Sequence, residues 1–275
     1  MDYAAILADN YVLIIALLAG GLLTGLLAGM LGIGGGGVLV PILYEVFTVI
    51  GIDSDIRTHM AVGTSLAVII PTSISSFRAH HSRGAVDMDI LRNWGPGVFI
   101  GVLLGIYLAS IVDGSWLRLV YVGCSLFIAF KLLVARDRLQ FGKDLPGQPV
   151  AGMMGGVFGM ASTLMGVGGG ALISSTMTLF GRAIHQAVAT SSGFGPIIAI
   201  PATIGYIWAG WGLEALPVGS AGYVSLMGAA IIIPMSVLAA PYGVRISHGL
   251  SKRKLETAFG IFLLIVSIRF IISIL

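Results

Sequence analysis

Two glycine clusters stand out as residues that could do chemistry. Gly32 to Gly37 reads GIGGGG, and Gly166 to Gly170 reads GVGGG. Each precedes a short apolar segment, so each predicts a helix that begins at a glycine break. The first amides of a helix have no partner within it, and its N-terminus carries about half a positive charge. Such an end suits an anion. The candidate ligand groups are therefore the amides of Gly34, Gly35 and Gly36 and those of Gly168, Gly169 and Gly170. Close glycine packing between membrane helices is the plainer reading of one such cluster. Two clusters at matching places favour a site. Neither cluster has the strand-to-helix setting of a dinucleotide fingerprint, and neither ends in the GK[ST] of a P-loop.

Hydroxyls recur in the same way. Thr64-Ser65 is matched by Thr190-Ser191-Ser192. Hydroxyls donate to an oxyanion without carrying charge into lipid. The competing reading is a bond from each hydroxyl to a carbonyl one turn back in its own helix. Arg78, His81 and Arg83 lie in Arg78-Ala79-His80-His81-Ser82-Arg83-Gly84, where they would gather anions, gate, or relay protons, or simply form a positively charged cytoplasmic loop. Glu45 sits inside an apolar segment, where a carboxylate is a candidate for gating or proton relay. His59 and His185 occupy matching places at the starts of two segments, and a capping role fits them better than an entry role. Arg118, Lys131 and Arg269 lie near segment ends, where long cations reach for the interface. No metal site is expected, because no Cys cluster, no HExxH and no spaced carboxylate-His set is present. No cofactor is expected either.

The elements that must position these residues follow from composition. Of 275 residues, 57% are hydrophobic and only 10% charged, against roughly a quarter charged in a soluble domain. Mean hydropathy is +1.00. Such a chain cannot cover itself with a charged skin, which excludes a soluble enzyme and a nucleic-acid-binding domain. The apolar runs are too long for the alternating strands of an outer-membrane barrel. An all-α polytopic membrane protein, with the lipid bilayer as its main partner, remains. Ten segments are predicted, near 11–31, 37–50, 60–77, 94–112, 116–134, 150–166, 170–180, 184–209, 217–240 and 255–275. The second and seventh are too short to cross comfortably as straight helices; they are Gly-broken pieces that either cross or form halves of re-entrant hairpins, and each alternative returns the chain to the same side. The first residues hold Asp2 and Asp9 and no Lys or Arg, unlike a signal peptide, so the first segment is expected to stay as a helix.

The chain also reads as a duplication. Shifted by 134, the glycines at 21, 25, 32, 34, 35 and 36 fall on those at 155, 159, 166, 168, 169 and 170; shifted by 126, His59–Ser65 falls on His185–Ser191 with His, Ala, Val, Thr and Ser retained. The expected halves are residues 1–140 and 141–275 of one membrane domain. If the chain starts outside and crosses at each segment, twelve of its 15 Lys and Arg face inward, all but Arg57, Arg118 and Arg269. Both termini are then outside. Five segments per half is an odd number, so the second half is inverted. Inverted repeats with broken helices are a usual construction of secondary transporters, whose site lies between the repeats near the midplane. Thr64-Ser65 and Thr190-Ser191 are then expected to face each other across it. The spans are poor in carboxylates, which favours an anion over a cation.

GLLAGMLGIGGG at Gly25–Gly36, Val62-Gly63-Thr64-Ser65, His81-Ser82-Arg83-Gly84-Ala85-Val86-Asp87 and the second glycine block together resemble the TauE/SafE family of sulfite exporters and related anion permeases. The resemblance covers nearly the whole chain. It implies export of a small sulfur-containing anion, sulfite or an organosulfonate, across a bacterial inner membrane by alternating access. A passive anion channel and a membrane sensor or receptor are the alternatives. Self-association into a homo-oligomer is left open.

Overall fold

The computed structural model describes residues 11–31, 35–135, 142, 144–246 and 252–273. Its helices are α1 (Tyr11–Leu31), α2 (Gly36–Val49), α3 (Ser54–His81), α4 (Met88–Ile111), α5 (Gly114–Phe130, extended by a wider turn at Lys131–Ala135), α6 (Val150–Met165), α7 (Gly170–Leu179), α8 (Ile184–Ser192), α9 (Phe194–Ala209), α10 (Leu226–Ile246) and α11 (Lys252–Ile272). A two-residue antiparallel ladder, β1 (Ser220–Ala221) with β2 (Val224–Ser225), precedes α10.

Among the described residues, six helical stretches, of 20 to 28 residues, are long and apolar enough to cross a membrane. α2 and α7, with 14 and 10 residues, would reach about 21 and 15 Å, short of a roughly 30 Å hydrocarbon layer. The surface is inside-out relative to a soluble protein. Tyr107, Ile204, Leu238 and Ile265 are each more than 60% exposed, whereas Thr24, Thr64, Ser65, Thr72, Ser125, Ser162, Thr190, Ser191, Ser236 and Ser267 are completely buried. Apolar groups on the rim and hydroxyls in the interior are what a bilayer solvent selects. The chain is an all-α polytopic membrane protein.

Several segment ends differ from expectation, and the causes are local. The third helix runs over 54–81 rather than 60–77 because the Asp53 carboxylate accepts the Asp55 amide and starts it in a polar turn. Asp87 does the same for α4 through the amides of Asp89 and Ile90. Polar first turns are invisible to hydropathy. The segment at 184–209 is broken at Gly193 into α8 and α9. Pro196 has no N–H to return to the Ser192 carbonyl, so the helix loses a bond there. The ninth segment starts at Leu226, not 217, because Pro217 to Ser225 forms a turn and the small ladder.

α1 packs along α10, and α4 packs along α6, the two most extensive contacts among the described residues. In the five-plus-five segment order expected from the sequence, the first helix of each set thus lies on the fourth of the other. Both seams are knit by glycine. A Cβ on Gly25, Gly29 or Gly243 would overlap a backbone carbonyl across the α1–α10 seam. One on Gly97, Gly101 or Gly159 would do so across the α4–α6 seam. With no hydrophobic drive between helices in lipid, this backbone-to-backbone approach is what holds them. Gly25→Val is therefore expected to cost about 1–3 kcal/mol through overpacking. Thermal unfolding of purified protein in detergent checks this; an unchanged midpoint would show that the seam yields.

Candidate substrate site

The two short helices begin alike. Gly35 precedes α2 with φ 72° and ψ −9°, and Gly169 precedes α7 with φ 74° and ψ −17°. These positions are 134 apart, the offset of the glycine repeat. A side chain at either would be strained by the left-handed backbone and would also collide, with Thr24 at one and Ile198 at the other. Gly34 lies outside the described residues; Gly36, Gly168 and Gly170 are all buried.

The two loops touch. A Cβ on Gly36 would overlap the Gly166 carbonyl and come within 2.9 Å of Val167 Cα and Ile69 Cδ1. The N-terminus of α2 is thus packed on the second glycine loop. α5 shows where the two helices lead from there. Near its start, Arg118 Nη1 donates to Tyr44 Oη at 2.7 Å, and Tyr121 Oη donates to the Gly37 carbonyl at 2.6 Å. At its other end, Lys131 Nζ donates to the Ser175 carbonyl at 2.9 Å and to Thr178 Oγ1 at 2.7 Å. Arg118 and Lys131 are separated by about 20 Å of helix rise. The C-terminal halves of α2 and α7 are therefore held toward opposite ends of α5, with the helix starts between them. Tyr44 and Thr178 are again 134 apart. A cation suits the negative end of a helix, so Arg118 and Lys131 complement the C-terminal sides while the positive ends converge in the interior.

The candidate hydroxyls are all buried. Ser65 Oγ donates to the Gly166 carbonyl at 2.8 Å and so joins α3 to the second loop. Ser191 and Ser192 donate within α8, to Val188 at 2.9 Å and Ala189 at 2.6 Å. Thr64 Oγ1 accepts the Ser225 amide at 2.9 Å, and Thr190 Oγ1 accepts the Asp87 amide at 2.9 Å. The two threonines are equivalent in the repeat, and each ties down the connection that leads into the fourth helix of the other half.

The remaining candidates lie away from the glycine loops. Arg78, His81 and Arg83 are exposed at the end of α3. His81 stacks on Phe77 at 5.5 Å, and Arg83 Nη1 reaches the Val244 carbonyl at 3.4 Å. Glu45 pairs with Arg269, Oε1 to Nε at 3.1 Å, half-exposed at the other end of the bundle. His59 Nε2 lies 3.2 and 3.1 Å from the carbonyls of Ala109 and Val112, which makes it a cap for α4. It also stacks on Tyr223 at 4.9 Å, whose phenol burial pushes above its usual range and so keeps neutral. His185 is exposed.

Arg118 departs from the expected snorkelling cation. It is only 7% exposed and is held by Tyr44, Ser115 and Ser273, the residue that follows α11. The signal available in sequence was the shared 134 offset of Tyr44 and Thr178, which needs the fold to become meaningful.

Two cavities occupy equivalent places at opposite ends of α3. One, of about 550 Å³, is lined by Gly84, Val86, Asp87, Asp89 and Gln186. The other, of about 30 Å³, is lined by Ile52, Met60, Pro217, Ser225 and Gly228. Gln186 and Met60 are repeat partners, offset by 126.

An apolar-sided bundle with hydroxyls inside, and two short helices meeting at their starts within it, defines a multi-pass membrane transporter rather than an enzyme. The chain belongs to the sulfite exporter TauE/SafE family, whose model matches residues 17–270. A probable membrane transporter protein of Haemophilus influenzae is 30% identical over 251 residues, covering 90% of this chain and 94% of that one. A probable membrane transporter protein of Methanocaldococcus jannaschii is 29% identical, covering 86% and 87%. YunE of Bacillus subtilis, another probable membrane transporter protein, is 28% identical, covering 66% and 72%. No solved structure matches.

The Ser65 bond has a measurable consequence. Ser65→Ala breaks a tie to the second glycine loop, so transport in vesicles should lose about tenfold in apparent affinity; wild-type affinity with normal expression would show that the tie is not needed.

Proposed function

We infer that the chain is a secondary carrier that exports a small sulfur-containing oxyanion, sulfite or an organosulfonate, across a bacterial inner membrane by alternating access. The observation that carries this reading is the convergence of the starts of α2 and α7 in an interior without carboxylates on the loops. Each helix end would favour an anion by roughly 0.3–1 kcal/mol, and up to about 2 when partly buried. With hydrogen bonds of roughly 1.5–3 kcal/mol each to a charged group, less the cost of association, micromolar-to-millimolar binding follows. The family's description supports sulfite. The cross-pairing of first and fourth helices, and the opposite runs of α2 and α7, support an inverted duplication of residues 1–140 and 141–275. On that reading the larger cavity faces the cytoplasm with Arg83 beside it, and the Pro217–Ser225 turn closes the outside.

Reconstituted protein should give saturable sulfite flux that is stimulated by sulfite or methanesulfonate on the opposite side. Linear, unsaturable anion flux would make it a channel. No flux, with sulfite binding intact, would make it a sensor. A sodium-specific response without any anion response would remove the anion site.

Orientation is tested separately. In a Cys124→Ser background, Glu214→Cys should react with an impermeant thiol reagent in intact cells, and Ser82→Cys should not. Both side chains are exposed at opposite ends of the bundle. The reverse pattern would invert the topology and the direction assigned to the larger cavity.

A further inference from the structure

Beside each glycine loop lies a buried hydroxyl that bonds to nothing. Ser162, on α6, and Thr24, on α1, are both 0% exposed, and neither hydroxyl has a hydrogen-bond partner. Thr58, Ser125 and Thr203 are also unpaired, but none is among the nearest neighbours of Gly35 or Gly169, and several other buried hydroxyls bond back into their own helices. Thr163, the next residue, donates to the Gly159 carbonyl at 2.9 Å; Thr176 donates to Leu172 at 2.9 Å and Ser267 to Leu263 at 2.7 Å. Ser162 has the same option and does not take it. A buried unbonded hydroxyl is costly, and an alanine in its place would avoid the cost. Such a group calls for an explanation.

Its position supplies one. The Ser162 carbonyl accepts the Val167 amide at 3.0 Å and closes α6 before the second glycine loop. The hydroxyl points past that loop: Oγ is 3.3 Å from where a Cβ on Gly169 would be. Gly169 is the residue on which α7 begins. Its missing side chain therefore leaves the Ser162 hydroxyl next to the unsatisfied amides of the helix start. The other two nearest atoms to that Cβ position are Cδ1 of Ile198 and Cδ1 of Ile173. At the first loop Thr24 sets its methyl and carbonyl, not its hydroxyl, against Gly35, and the 134 offset places Ala28 opposite Ser162.

We propose that the Ser162 hydroxyl is a substrate-binding donor, which bonds one oxygen of an oxyanion seated on the start of α7. This rests on the reading that the anion binds where the two helix starts converge. Amides and a hydroxyl approaching from a second helix fit a ligand with several terminal oxygens, sulfite or a sulfonate, better than a spherical halide. The site is sealed around these groups, so the ligand enters when the two loops separate.

The test is thermal unfolding of purified full-length protein in detergent, titrated with sulfite, methanesulfonate and chloride. For Ser162→Ala the ligand-free midpoint should equal or exceed wild type, because an unbonded buried hydroxyl has gone. The sulfite and methanesulfonate concentrations for half-maximal stabilisation should rise about tenfold or more. Any chloride response should be unchanged. A structural hydroxyl would give the reverse, a lowered ligand-free midpoint with the sulfite response retained. If Ser162→Ala does not fold, Ser162→Cys, close in size and a weak donor, carries the same expectation. Wild-type sulfite stabilisation with unshifted midpoints in both variants would overturn the role of Ser162 and leave the anion site standing. Absence of oxyanion stabilisation in the wild type would overturn both.

Discussion

A helix that starts inside a membrane leaves its first amides without partners, and lipid offers none. α2 and α7 both start this way, and much of the structure answers that constraint. The left-handed glycines at 35 and 169 turn the chain sharply enough to begin a helix at depth. The bare Gly36 lets the first loop pack on the second, at Gly166. Ser65 from the long central helix holds the Gly166 carbonyl. The C-terminal sides are served by cations from one helix, Arg118 for α2 and Lys131 for α7. Arg118 is buried with only neutral hydrogen-bond partners around it, and helix polarity helps explain how a cation is tolerated there. The two positive helix ends are left facing the interior, where an anion is the natural complement.

Much of this was legible in the sequence, and what was missed has a physical cause. The glycine blocks announced both helix starts because only glycine takes a positive φ without strain. Hydropathy found the spans because every lipid-facing position must be apolar. It misplaced the beginnings of α3 and α4, where Asp53 and Asp87 cap polar first turns, and it ran through Gly193, where the missing Pro196 amide breaks the chain into α8 and α9. The paired hydroxyls were found as pairs, but their bonds were not legible. Thr64 and Thr190 hold backbone amides of distant connections, and Ser65 holds the carbonyl of the second glycine loop. Ser162 and Thr24 carried no signal, since one hydroxyl in an apolar helix looks like any other until its partners are counted. Arg118 was misjudged for the same reason: its burial depends on Tyr44 and Ser273, far away in sequence.

The repeat also shows where symmetry ends. The bond from Thr64 to the Ser225 amide is the same device as the bond from Thr190 to the Asp87 amide. At the Pro217–Gly228 end it is reinforced. Tyr223 donates its amide to the Tyr206 carbonyl at 3.2 Å, stacks on His59, and lies so close to Gly63 that a Cβ there would sit 2.7 Å from its carbonyl. At the Gly84–Asp89 end Gln186 adds a long bond of 3.3 Å to the Asp87 carboxylate, and Arg83 reaches the Val244 carbonyl. On the carrier reading, the hairpin side releases Tyr223 from His59 and Tyr206 as it opens, and the other side parts Asp87 from Thr190 and Gln186. The bound anion would then supply what the ties at the hairpin end supply in its absence, by drawing the starts of α2 and α7 onto itself.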